Sequence, residues 1–154
     1  MSFDPDYNAN LPPIRQTVDW TCSACSWAWL ANSIGQHETE WSAVEKIGYP
    51  TNINSTYGLM DATGAALDET YSSLWGWPSH HSPQVTWSEV TALAYAGPLL
   101  LGGRSWCHWT AVTGTDGVGL QLANPAPTWF GVGDWLERVE FDRLGSWSAV
   151  WLAA

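Results

Sequence analysis

The sequence predicts a single α+β domain, with helices first and an antiparallel sheet after them. Three observations support this. Segments with helical spacing and capping residues fill the chain before Pro98, and short glycine-bounded apolar runs of strand character follow it. No internal repeat and no alternation of strand and helix interrupts that order. At 154 residues the chain can bury a core of its own without disulfides or metal, so residues 1–154 are read as one domain.

The helices come with punctuation. After an irregular leader containing Pro5, Pro12 and Pro13, Thr21 is placed to cap a helix over Cys22 to Ile34, and Gly35 to end it. The stretch after Cys22 contains good helix formers, and the helix is expected to be mostly buried. A second helix is expected over Glu40–Ile47, before Gly48 and Pro50, and a third around Gly58–Leu67. Ser79 to Pro83, with the adjacent pair His80 and His81, reads as a solvated loop. The capping box Thr86-Trp87-Ser88-Glu89 opens a helix to Tyr95, closed by Ala96-Gly97-Pro98. Leu99 to Leu101 then reads as a buried strand, Trp109–Gly114 and Val118–Ala123 as a hairpin, and Ser146–Leu152 as the final strand.

Composition excludes several functions. Hydrophobic residues at 45% against 13% charged exclude disorder, and the longest apolar runs are far too short for membrane insertion. Five Lys plus Arg against 15 Asp plus Glu, a net charge of −10, argue against a nucleic-acid partner and favour neutral or basic substrates. The first residues, MSFDPDYNAN, carry neither a basic stretch nor an apolar core, which predicts a cytoplasmic location. Thirteen tryptophans predict either an aromatic core or a cleft lined with indoles, and oligomeric state is not legible.

Four residues form the parts list of a thiol-dependent acyl-transfer site: Gln16, Cys22, His108 and Asn124. A thiol nucleophile needs a base, a group to orient that base, and donors for the oxyanion. Cys22 falls in the first turn of a helix, where the dipole favours a thiolate. Thr115-Asp116-Gly117 suits a three-residue turn pairing Gly114 with Val118, and that register sets His108 opposite Asn124. A two-residue turn leaves the two diagonal instead. Gln16 lies where its amide can join the Cys22 backbone N–H in donating to an oxyanion.

The order of these parts resembles the papain-like superfamily of cysteine peptidases and, within it, the compact C39-like peptidases. Gln-x5-Cys at Gln16 and Cys22 opens the pattern. The stretch Ala96-Gly97-Pro98-Leu99-Leu100-Leu101 is similar to the strand before the histidine. Cys107-His108-Trp109-Thr110-Ala111-Val112 is similar to the histidine strand, and Asn124-Pro125 to its close. The resemblance implies a papain-like fold with the catalytic Cys at the start of the central helix. It also implies Cys22 as nucleophile, His108 as base, Asn124 as orienter and Gln16 in the oxyanion hole, acting on a peptide or amide without cofactor or metal. Ser23 stands where C39-like enzymes usually have glycine.

Cys25 is a rival nucleophile, because Cys22-Ser23-Ala24-Cys25 also resembles papain's Cys-Gly-Ser-Cys; the Gln16 spacing and helix start favour Cys22. A redox dithiol at Cys22 and Cys25 lacks a βαβ context. A zinc site of Cys22, Cys25, Cys107 and His108 needs ligation from two adjacent strand residues that point to opposite faces. The remaining alternative is a catalytically silent domain binding a peptide or protein partner through a Trp-rich cleft.

Overall fold

A computed structural model describes residues 5–54, 62–105, 107–128 and 132–153. The first helix, α1 (Cys22–Ser33), is buried at eleven of its twelve positions. A helix apolar on every side belongs inside a protein, and its small Ala and Ser side chains let neighbours approach on all faces. It stops at Ile34, followed by Gly35 at φ +103°. The second helix, α2 (Glu40–Ile47), matches the expected bounds and opens on a capping box between Thr39 and Ser42. The third, α3 (Gly64–Trp75), starts at Thr63 and runs past the expected end. Of the helix expected over Gly58–Leu67, residues 58–61 lie outside the described residues. The reason for the extension is tertiary: Tyr71 and Trp75 both stack on Trp27 of α1.

Ser79–Ser82 forms a strand, β1, rather than the expected loop. It hydrogen-bonds the last strand, β6 (Trp147–Leu152), with Ser79 opposite Leu152. A polar strand is tolerated because it is an edge, with one row of backbone groups paired and polar side chains facing water. Helix α4 (Trp87–Ala96) follows, with the capping box of Thr86 and Glu89 present. Strands β2 (Leu99–Gly103), β3 (His108–Thr115), β4 (Gly119–Ala123) and β5 (Trp135–Glu137) complete an antiparallel sheet of order β1-β6-β2-β3-β4-β5. Helix α5 (Arg138–Leu144) packs behind it and was not anticipated, nor was β5.

Strand alternation divides the core in two. Leu100, Trp109, Ala111 and Val150 face α1, α2 and α3, while Leu99, Leu101, Val112 and Ala149 face α4 and α5. The fold is thus α+β with its sheet between two helical layers. Trp27, Trp29, Trp109 and Trp147 are fully buried, so much of the tryptophan excess serves packing. Trp41 is half exposed and meets Trp20, which also packs on Tyr49. Among the described residues, no helix is long and apolar enough to cross a membrane.

The hairpin register differs from expectation. Thr115 pairs with Leu120, not Gly114 with Val118, because Asp116 accepts from both the Val118 and Gly119 N–H groups and widens the turn. A bulge between Val112 and Gly114 shifts the ladder again, so that Ala111 faces Ala123. His108 and Asn124 are therefore not opposed. Continued one step, this ladder sets Asn124 across from Thr110, two residues from His108 and on its face, which makes His108 and Asn124 diagonal neighbours.

Gly102, opposite Trp109 in the ladder, has a specific role: a Cβ there would stand 2.7 Å from the Trp109 ring. Gly102→Ala is expected to cost about 1–3 kcal/mol through overpacking. For a chain of this size that lowers the melting temperature by about 2–4 °C per kcal/mol, measurable by thermal unfolding.

Candidate active site

Cys22 is the first residue of α1, and its Sγ accepts a hydrogen bond from the Trp109 backbone N–H at 3.3 Å. The start of β3 is thereby docked on the sulfur, one residue from His108. A backbone donor aimed at sulfur favours its charged form, as does the N-terminal end of a helix. The Thr21 hydroxyl, expected to cap this helix, makes no capping bond. It donates instead to Val18 O and to Glu40 Oε2.

His108 Nε2 lies 2.7 Å from Asn124 Oδ1. Two backbone groups fix the orientation of that amide: Asn124 Nδ2 donates to Gly133 O at 2.7 Å, and Oδ1 accepts from the Ala126 N–H at 3.1 Å. The oxygen must therefore be the atom facing His108, so Nε2 carries the imidazole proton. In the neutral ring Nδ1 is then the basic nitrogen. Both side chains are buried.

Burial drives the His108 pKa down from its ordinary 6.5 to about 4, and the hydrogen bond to Asn124 opposes this only partly. A proton on His108 inside the fold is therefore costly unless a negative group stands close to the ring. In a Cys22→Ala protein no thiolate is available, and the consequence for stability has a definite sign. The folded pKa lies below the unfolded one, so the unfolded state binds the extra proton between pH 6.5 and 4, and stability falls as pH drops through that window. The loss expected for Cys22→Ala, read from urea unfolding at pH 7 and pH 4, is about 3 kcal/mol, and removing His108 as well should abolish that component.

Gln16 comes into the same assembly by its backbone. Its N–H donates to Pro125 O at 3.0 Å, while the neighbouring Arg15 guanidinium donates to Asn124 O. Its side-chain Nε2 donates to Val18 O at 2.8 Å, and its buried Oε1 has no hydrogen-bond partner among the described residues. The amide is thus folded against its own loop, with one of its two N–H donors committed to Val18.

Sequence reasoning missed Glu40. This buried carboxylate accepts from Thr17 N at 2.7 Å, Thr17 Oγ1 at 2.5 Å, Thr21 Oγ1 at 2.6 Å and Cys25 Sγ at 3.6 Å. Burial alone pushes its pKa up, but the bonds from Thr17, Thr21 and Cys25 together outweigh that and hold it below the usual carboxylate value. Glu40 therefore ties the loop between Gln16 and Cys22 to α2. In sequence it reads only as a first-turn acid suited to the helix dipole. Cys25, fully buried, is turned toward this carboxylate, an environment that disfavours a thiolate.

No protein-family model and no curated protein matches the sequence. Solved structures do match its fold. The double glycine motif protease from an AMS/PCAT transporter, solved in complex with the leader peptide, superposes with a TM-score of 0.69 at 16% identity, covering 99% of this chain and 98% of that one. The chain has the C39-like, papain-like peptidase fold. The peptidase domain of Streptococcus ComA, a bi-functional ABC transporter involved in a quorum sensing pathway, gives 0.64 at 17% identity, over 92% and 97% of the two chains. A Bacillus anthracis protein described as a "putative C39-like peptidase" gives 0.63 at 11% identity, over 97% and 98%.

Proposed function

We propose that this protein is a cysteine peptidase, or a closely related thiol-dependent amide hydrolase or acyl transferase, acting through Cys22, His108, Asn124 and Gln16. The observation that carries this reading is the tautomer lock on His108: Asn124, itself fixed by Gly133 and Ala126, leaves Nδ1 as the base one residue from the backbone N–H that touches the Cys22 sulfur. Peptide-cleaving neighbours of the same fold support a peptide substrate.

In the proposed cycle His108 Nδ1 takes the Cys22 proton, and the thiolate attacks the carbonyl carbon of the amide. The oxyanion that forms is met by the Cys22 backbone N–H and the second N–H of the Gln16 amide. As the C–N bond breaks, the imidazolium gives its proton to the departing amine and a thioester to Cys22 remains. Water, deprotonated by His108, or an acceptor amine then releases the acyl group and restores the thiol. Incubating peptide mixtures with the wild type and with Cys22→Ala, read by mass spectrometry, tests this: products with the wild type alone support it, and equal products from both refute it.

A second reading has an observation of its own. Trp20, in the loop before Cys22, packs with half-exposed Trp41 and Tyr49 into a surface aromatic cluster suited to holding a peptide without cutting it. Tight peptide binding with no turnover and no enhanced Cys22 reactivity would select that role.

A further inference from the structure

A cavity of about 530 Å³ has a wall that includes Gly64, His81, Ser82, Arg104, Cys107 and Ser148. Cys107 immediately precedes His108, and the Trp109 N–H that reaches the Cys22 sulfur is two residues on. A Cβ at Gly64 would lie 3.6 Å from the Trp109 ring and 3.8 Å from His81, so the same stretch of wall touches both the active-site strand and the histidine. The size falls within the usual range of about 300–1,000 Å³ for ligand pockets.

The charges around it are unusual for this chain. Of the five Lys and Arg residues, four have a carboxylate partner: Arg15 with Asp134, Lys46 with Glu38, Arg138 with Asp142 and Arg143 with Glu140. Among the described residues Arg104 is the exception, in a protein carrying 15 acids against five bases. His81 stands in the same wall with Nδ1 2.7 Å from Asp68 Oδ2, and the other Asp68 oxygen takes the Ser79 hydroxyl. Asp68 thus orients the His81 ring while its own two oxygens are engaged, and it does not itself line the cavity. A guanidinium without an acidic partner in a concave site is suited to bidentate pairing with a carboxylate.

We propose that this cavity is a carboxylate subsite, in which Arg104 pairs with an acidic side chain or the C-terminal carboxylate of a peptide laid across Cys22. The placement of the scissile bond rests on the peptidase reading; the carboxylate recognition does not. The protein's net negative charge does not oppose it decisively: Arg104 is exposed, and charges beyond about 8–10 Å from it are screened at physiological salt. Substrate preference is therefore set locally, against the bulk charge.

Binding to the Cys22→Ala protein tests this without turnover. Fluorescently labelled peptides of one parent sequence are compared in isosteric pairs, Glu against Gln at each position and a free against an amidated C-terminus. One carboxylate is expected to bind about tenfold tighter than its amide counterpart. Adding Arg104→Gln is expected to bring that ratio near one while leaving binding of the amide peptide unchanged. The arm that shows the preference identifies the source of the carboxylate. Absence of any acid preference, or a preference that survives Arg104→Gln, overturns the proposal. Wild-type cleavage with no acid preference would remove the subsite and keep the peptidase, whereas an Arg104-dependent preference without cleavage would do the reverse.

Discussion

Cys22→Ala is expected to abolish amide cleavage, a loss of about 10⁴-fold or more, whereas Cys25→Ala is expected to retain turnover. The two thiols share a helix but not an environment. Cys22 stands at the helix start, its sulfur accepting from the Trp109 N–H. Cys25 stands one turn further in, fully buried, with its sulfur on the Glu40 carboxylate. An adjacent negative charge raises the cost of a second one, so a Cys25 thiolate is disfavoured where a Cys22 thiolate is stabilised. Kinetics with a cleaved peptide and both single variants check this. Loss of turnover on replacing Cys25 with turnover kept on replacing Cys22 would reverse the assignment.

Glu40→Ala is expected to be the most damaging substitution outside the four proposed catalytic residues. It strips the acceptor from the Thr17 N–H and from the Thr17 and Thr21 hydroxyls, all beside a buried site. Hydrogen bonds to a charged group contribute about 1.5–3 kcal/mol each and do not add fully, so a loss of about 3–5 kcal/mol is expected by denaturant unfolding. Glu40→Gln keeps the shape but turns an NH₂ toward donors, and should cost less stability while still loosening the loop from Gln16 to Cys22. Its signature is a fall in kcat, since that loop carries Gln16, the proposed oxyanion donor. Equal kcat in Glu40→Gln and wild type would show that the carboxylate serves the fold alone. Because the Glu40 pKa is held below the unfolded value, its stabilisation is present above about pH 4.3 and is lost as pH falls through the folded pKa.

The sequence was informative where local rules decide structure. Helix α1 follows from its good helix formers ended by Gly35, α2 from the Gly48 and Pro50 that close it, and α4 from its capping box, because caps and glycines act within a few residues of where they stand. The contact between His108 and Asn124 was expected by a register that the structure replaces. The Asp116 turn is wider and the bulge after Val112 adds a further shift, yet the two side chains still share a face and meet diagonally. The strand β1 was hidden because Ser79-His80-His81-Ser82 has no apolar alternation to signal it, its pairing resting on the β6 backbone and a His80–Trp151 ring contact. Glu40 was hidden for a different reason. Its partners lie up to 23 residues away, and nothing in a first-turn acid signals a tertiary anchor.

In the proposed mechanism Cys22 and His108 form a coupled acid–base pair, with Asn124 holding the imidazole in the productive tautomer. The most direct measurement is the rate of Cys22 alkylation by iodoacetamide from pH 4 to 9, with the modified residue located by mass spectrometry. A reactive plateau persisting well below the ordinary thiol value of about 8.5 is expected, and its loss in His108→Ala. A single rise near pH ~8.5, the same with and without His108, would contradict it.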